Sequence, residues 1–192
     1  MLRHLVRAVS WRPLVVVGLA GPVFVALATD QDAVLLRARV AGIGLGAVAA
    51  YVLDDPAAST LASSPTSLAT RWAVRLGGGL MVATAGWAAI VLAAAGHVPV
   101  RAMSLEVAAY LAVGFAVAAL SFRLVSETVG GIVGTVMVGI VATSGLVARV
   151  TWWPVPDSPL EPGATRQLVV VVAVALGILA LSSRDPARRT LR

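Results

Sequence analysis

The chain has 192 residues, of which 59% are hydrophobic and only 12% charged, with a mean hydropathy of +0.92, against roughly 25% charged residues in a soluble domain. Its net charge of +6 comes from arginines at the ends of apolar runs, with no basic stripe and no aromatic interleaving, which argues against a nucleic-acid surface. With no cysteine and only His4 and His97, disulfides, thiolate or histidine-rich metal sites and thiol nucleophiles are excluded, and no cofactor motif is present.

A hydrocarbon core about 30 Å thick needs roughly 17 to 25 apolar residues in a helix. Six stretches qualify, at approximately 14–29, 34–53, 72–96, 105–122, 129–148 and 167–183. None alternates with a period of two, and continuous apolarity over that length requires helices that satisfy their own backbone polar groups. The expectation is an all-α membrane protein, one transmembrane domain over 1–192 with six transmembrane helices, multi-pass in the cell membrane.

Arg3, Arg7 and Arg12 precede the first run, which ends "ALATD" with Ala26 and Ala28 in the small-x-small pattern of a signal-peptidase site. A retained helix and a cleaved signal are both open for it. The second run carries Arg37 and Arg39 in its first turns, where a lipid-facing arginine is costly. They snorkel or pair with Asp30 and Asp32; the alternative is an outer cationic rim for an anionic substrate or headgroup. Gly42, Gly46 and Ala50 follow at four-residue spacing.

Between the second and third runs lies "LDDPAASTLASSPTSLATRW". Asp55 before Pro56 is a helix start, a carboxylate for the orphan amides and a proline at the first position; Ser64 before Pro65 repeats it. A short helix from about Pro56 to Ala62 is predicted. Read plainly, these residues cap and solvate a loop; a rigid loop helix is also a handle that a soluble partner could grip. At the base of the third run, Arg71 and Arg75 anchor to lipid phosphates, or Arg75 reaches Asp54 or Asp55 and stiffens the loop. Glu106 and Arg101 are an expected pair at the start of the fourth run. In the fifth, Gly130 with Gly134, and Gly131, Thr135, Gly139 and Thr143, form small-residue faces for packing within the chain or against a second subunit. The connection that follows, "RVTWWPVPDSPLEPGATR", is proline-rich, and the C-terminal "SSRDPARRTLR" is a basic tail.

With the N-terminus inside, ten arginines fall on the cytoplasmic side and Arg37, Arg39, Arg101, Arg149 and Arg166 on the other, which places both termini in the cytoplasm. Trp11 and Trp72 then sit at the inner interface, and Trp152 and Trp153 at the outer one. Catalysis finds no support. The aspartate pair is followed by Ala57 and Ala58 rather than a further aspartate, and the polar residues at membrane depth are hydroxyls, Thr84, Thr135, Thr143 and Ser144, that ordinarily bond to helix carbonyls.

Six helices, internal termini, a short helix in the first cytoplasmic loop and a long outer connection before the last helix resemble the type-II permease subunits of ATP-binding-cassette exporters. The "LDDPAASTLASSPTSLATR" loop is similar to that of small actinobacterial membrane proteins of this kind. The resemblance implies a coupling helix at about Asp54–Ala62, with Asp54, Asp55, Pro56, Ser59 and Thr60 against a separate ATP-binding subunit. It also implies a second permease chain, identical or different, and an outer flap over Thr151–Pro162. The chain has no lysine and so no phosphate-loop motif of its own. The alternatives are a non-transporting adaptor that anchors a cytoplasmic partner, and a partner-independent carrier.

Overall fold

The computed structural model describes residues 11–54, 68–124, 130–147 and 162–182. Among them are α1 (Trp11–Ala26), α2 (Gln31–Ala49) continued by a 3-10 turn (Ala50–Leu53), α3 (Leu68–Ala93), α4 (Val100–Leu124), α5 (Gly130–Val147) and α6 (Pro162–Ser182), and no strand. Three of these segments are long and apolar enough to cross a bilayer, Gln31–Leu53, Thr70–Ala93 and Val100–Leu124; α1, α5 and α6 contribute shorter apolar stretches. The outward faces are as apolar as the interior, with Leu92 80% and Met81 74% exposed, as expected where lipid rather than water is the solvent.

The helix ends differ from the apolar runs in a consistent way. Helices α3, α4 and α6 begin at Leu68, Val100 and Pro162, four or five residues before the apolar runs at 72, 105 and 167. Apolarity records the thickness of the hydrocarbon layer, whereas the backbone ladder continues into flanking polar residues. Asp30 caps α2 by accepting the Ala33 amide at 2.8 Å, the role its residue type favours. Between α3 and α4 the chain reverses at Ala95 and Gly96, both with positive φ (48° and 83°), and the His97 amide closes the turn on the Ala94 carbonyl at 2.9 Å.

Cross-helix neighbours fix the relative directions. Gly18 faces Gly86 and Gly21 faces Ile90, so α1 and α3 run the same way. Gly42 faces Val107 and Gly46 faces Tyr110, so α2 and α4 run together in the other direction. Gly134 lies against both Ala50 and Gly114, and Thr135 Oγ1 donates to the Ala47 carbonyl at 2.8 Å; α5 is therefore antiparallel to α2 and α4. Helix α4 is the hub, packed against α2, α5 and α6, while α1 covers α2 and α3.

The small residues of α2 and α5 serve this packing. A Cβ on Gly114 would sit 2.6 Å from the Gly46 carbonyl oxygen, and one on Gly134 would sit 3.0 Å from the Gly114 carbonyl oxygen. Three helices meet at one point because none carries a side chain there. Gly130 and Gly131 likewise lie against Ala118 and Asp54, so the part of the α5 stripe nearest the 3-10 turn is filled by this chain itself. Gly139 has open space beside it, and Thr143 bonds within its own helix, to the Gly139 carbonyl at 2.7 Å. Two of the expected interface tryptophans are built into the fold: Trp72 is buried edge-on against Phe122 (centroids 5.6 Å apart), and Trp11 covers Gly78. Trp152 and Trp153 lie outside the described residues.

Candidate functional site

Asp54 ends the 3-10 turn and is the last described residue before the loop. Its carboxylate Oδ1 accepts the Gly131 amide at 2.7 Å, across 77 positions of sequence. That amide is one of the orphan donors of α5, so Asp54 caps a helix to which it is joined only through space. Gly131 carries no side chain because Asp54 and the Tyr51 ring occupy the position its Cβ would take. On the other side, Arg75 Nη1 donates to the Asp54 main-chain carbonyl at 3.0 Å, and Arg75 is only 1% exposed. One residue thus joins the end of α2, the base of α3 and the start of α5.

Burial raises the Asp54 carboxyl above the ordinary 3.8, against the opposing pull of the Gly131 amide and the Arg75 charge. A carboxyl whose folded pKa is raised favours the fold as the neutral acid; its contribution is complete below the unfolded value and declines as pH rises through the folded one. The bond to Gly131 favours the carboxylate, and the cost of burying that charge outweighs it. Asp54→Ala is expected to lose about 1 kcal/mol, within the range for a lost cap. Asp54→Asn, which keeps an acceptor oxygen, should match or exceed wild type at pH 7 and flatten this part of the pH dependence. Thermal unfolding in detergent from pH 4 to 7 measures both, and equal losses in Ala and Asn would show that the charge does the holding.

Arg75 lies among protein groups, with its guanidinium reaching Asp54, and Arg71, one turn nearer the helix start, is half-buried. Asp55, Pro56, Ser59 and Thr60, and with them the expected loop helix, lie outside the described residues, as does all of the outer segment before Pro162.

At the opposite end of α2 and α4 is a second polar cluster. Arg39 lies eight residues into α2 and Glu106 six into α4, about 12 Å and 9 Å from the helix starts at 1.5 Å per residue. Arg39 Nε is 3.4 Å from Glu106 Oε2, with the two side chains 9% and 5% exposed, and Tyr110 Oη donates to Glu106 Oε1 at 2.8 Å. The sequence expectation had Arg39 snorkel or pair with Asp30 and Asp32, and Glu106 pair with Arg101; in the structure Arg39 and Glu106 meet each other instead. Arg39 stands on the same face of α2 as Gly42 and Gly46, which is the face turned to α4, so its guanidinium meets Glu106 and is withdrawn from any outer rim. Arg37 points elsewhere, donating to the Phe24 carbonyl at 3.2 Å and lying 5.3 Å over the Phe24 ring. The missed signal was the spacing of Arg39 with the glycine stripe at 42 and 46.

No group of three or more His, Cys, Asp or Glu residues that could hold a metal occurs among the described residues. No known protein family, curated protein or solved structure matches the chain.

Proposed function

We propose that this chain is the membrane-spanning permease subunit of an ATP-driven exporter, with six spans and both termini in the cytoplasm, working with a separate ATP-binding subunit and a second permease chain. The observation that carries the reading is the Asp54 junction. A loop rooted in a residue bonded to both α3 and α5 transmits force to three helices at once, whereas a loop merely spanning two helix ends could swing freely. The arginine distribution favours the same side for this loop and both termini.

In this mechanism the partner binds the segment from Asp55 to Ala62, with Asp55, Pro56, Ser59 and Thr60 as its contacts, while Asp54 serves as the root. Nucleotide-driven closure of the partner displaces the loop, and α2, α3 and α5 tilt together, switching access between two permease chains. Tighter binding of the partner to one of the two arrangements supplies the work. The chain is not itself an enzyme in this reading. Arg71 and Arg75 anchor the loop base, and Arg37 stays near the outer surface.

Affinity purification of the tagged protein from its native membrane, with Asp55→Ala/Ser59→Ala beside wild type, tests the proposal. These positions leave the Asp54 cap intact. An ATP-binding subunit recovered with wild type and depleted about tenfold, or 1.4 kcal/mol, in the variant supports it. Recovery of a cytoplasmic protein without an ATP-binding domain, again lost in the variant, favours the adaptor. An intact, folded protein that brings down neither loses both readings.

A further inference from the structure

Helices α3 and α4 are joined by a tight turn, yet their backbones stand apart over most of their length. Two tryptophans hold the separation. Trp87 Nε1 donates to Ser104 Oγ at 2.8 Å near one end, and Trp72 meets Phe122 edge-on near the other. Between these struts the lining mixes Gly77, Ala83, Ala108 and Ala112 with the larger Leu80 and Leu111, and α6 forms the far wall with Val172, Leu176 and Leu179. The result is an apolar groove of about 420 Å³, within the size range of small-molecule sites. Gly77 lines the groove, and a Cβ added there would meet nothing within 4 Å.

We propose that this groove holds one acyl chain of a membrane phospholipid. Its length matches such a chain: Ser104 to Phe115 on α4 and Leu76 to Trp87 on α3 each cover eleven residue steps, about 16 Å, close to one leaflet of a hydrocarbon core roughly 30 Å thick. Its polarity matches too. The wall and floor are hydrocarbon, and the polar groups Thr84, Ser104 and the Trp87 indole gather toward one end. One turn beyond Ser104 is the exposed Arg101, where an anionic headgroup finds its counter-charge. The side wall is open, with Leu80 and Leu176 each about half exposed (52% and 54%), so a chain enters sideways from the bilayer. The proposal requires only that the protein is embedded in a membrane and is independent of the exporter reading.

The test reconstitutes the full chain in phosphatidylcholine vesicles containing phosphatidylglycerol with a photoreactive diazirine midway along one acyl chain, followed by mapping of the labelled peptides. Label should concentrate on α3 and α4 between Leu76 and Phe115, in excess over the equally apolar outer face of α5 at Ile132, Val136 and Ile140. Gly77→Leu, at a lining position with open space around its Cβ, should lower the groove label about tenfold, and Ala112→Phe, at a second lining position, should do the same. Label spread evenly over all outward faces, or unchanged in Gly77→Leu, overturns the proposal. So does an unlabelled groove whose Gly77→Leu variant changes the oligomeric state, since the face would then belong to a second copy of the chain.

Discussion

Glu106→Ala is expected to cost about 3 kcal/mol, the lower end of the range for stranding one member of a buried ion pair. Arg39, eight residues and about 12 Å into α2, would keep a buried guanidinium whose carboxylate is gone. Arginine does not escape by losing its proton. Replacing the whole cluster by apolar groups of similar size, Arg39→Met/Glu106→Leu/Tyr110→Phe, should return most of that loss, because the desolvation of both charges disappears together with their attraction. Denaturant unfolding in mixed micelles measures both variants. A Glu106→Ala protein within about 0.5 kcal/mol of wild type would mean that the pair behaves like a hydrated surface bridge, contrary to its burial.

Gly114→Leu should be at least as damaging, about 3 kcal/mol or loss of the folded protein, from the upper end of the overpacking range. The obstruction is not a side chain that can turn away. A Cβ at this position would sit 2.6 Å from the main-chain oxygen of Gly46, and Gly134 crowds the Gly114 carbonyl from the third helix. Relief requires α4 to move from α2 and α5, which would pull Glu106 from Arg39. Gly139→Leu, on the other small-residue face of α5 and beside open space, is the control and should be close to neutral. If the two leucine variants unfold alike, close approach at Gly114 is not what holds the three helices together.

These residues show where sequence reading succeeds. The stripe at Gly42, Gly46 and Ala50 and the one at Gly130 and Gly134 were legible as packing faces, because small residues at helical spacing have one common use in an apolar bundle. Which helix each face meets was not legible, since α2, α4 and α5 meet at a point composed of residues 46, 114 and 134. The acidic pair was legible as a helix-capping device, but local spacing pointed only to Asp55 and the loop after it, which lies outside the described residues, and gave Asp54 no cap of its own to make. Asp54 caps α5 instead, through a bond spanning 77 positions, and a local pattern carries no information about a donor so distant. Glu106 was assigned to Arg101 by proximity in sequence, while Arg39 reaches it by the facing of two parallel helices.

Composition and hydropathy by themselves determined that the chain is helical and built for a membrane, and they located each apolar helix to within about five residues, because a bilayer imposes length and apolarity on every segment that enters it. Only the tertiary structure decided which polar groups meet: Asp54 with Gly131 and Arg75, Arg39 with Glu106, and Trp87 with Ser104 across an open groove. Partners of that kind are selected by helix rotation and crossing, which depend on how every small and large side chain packs at once.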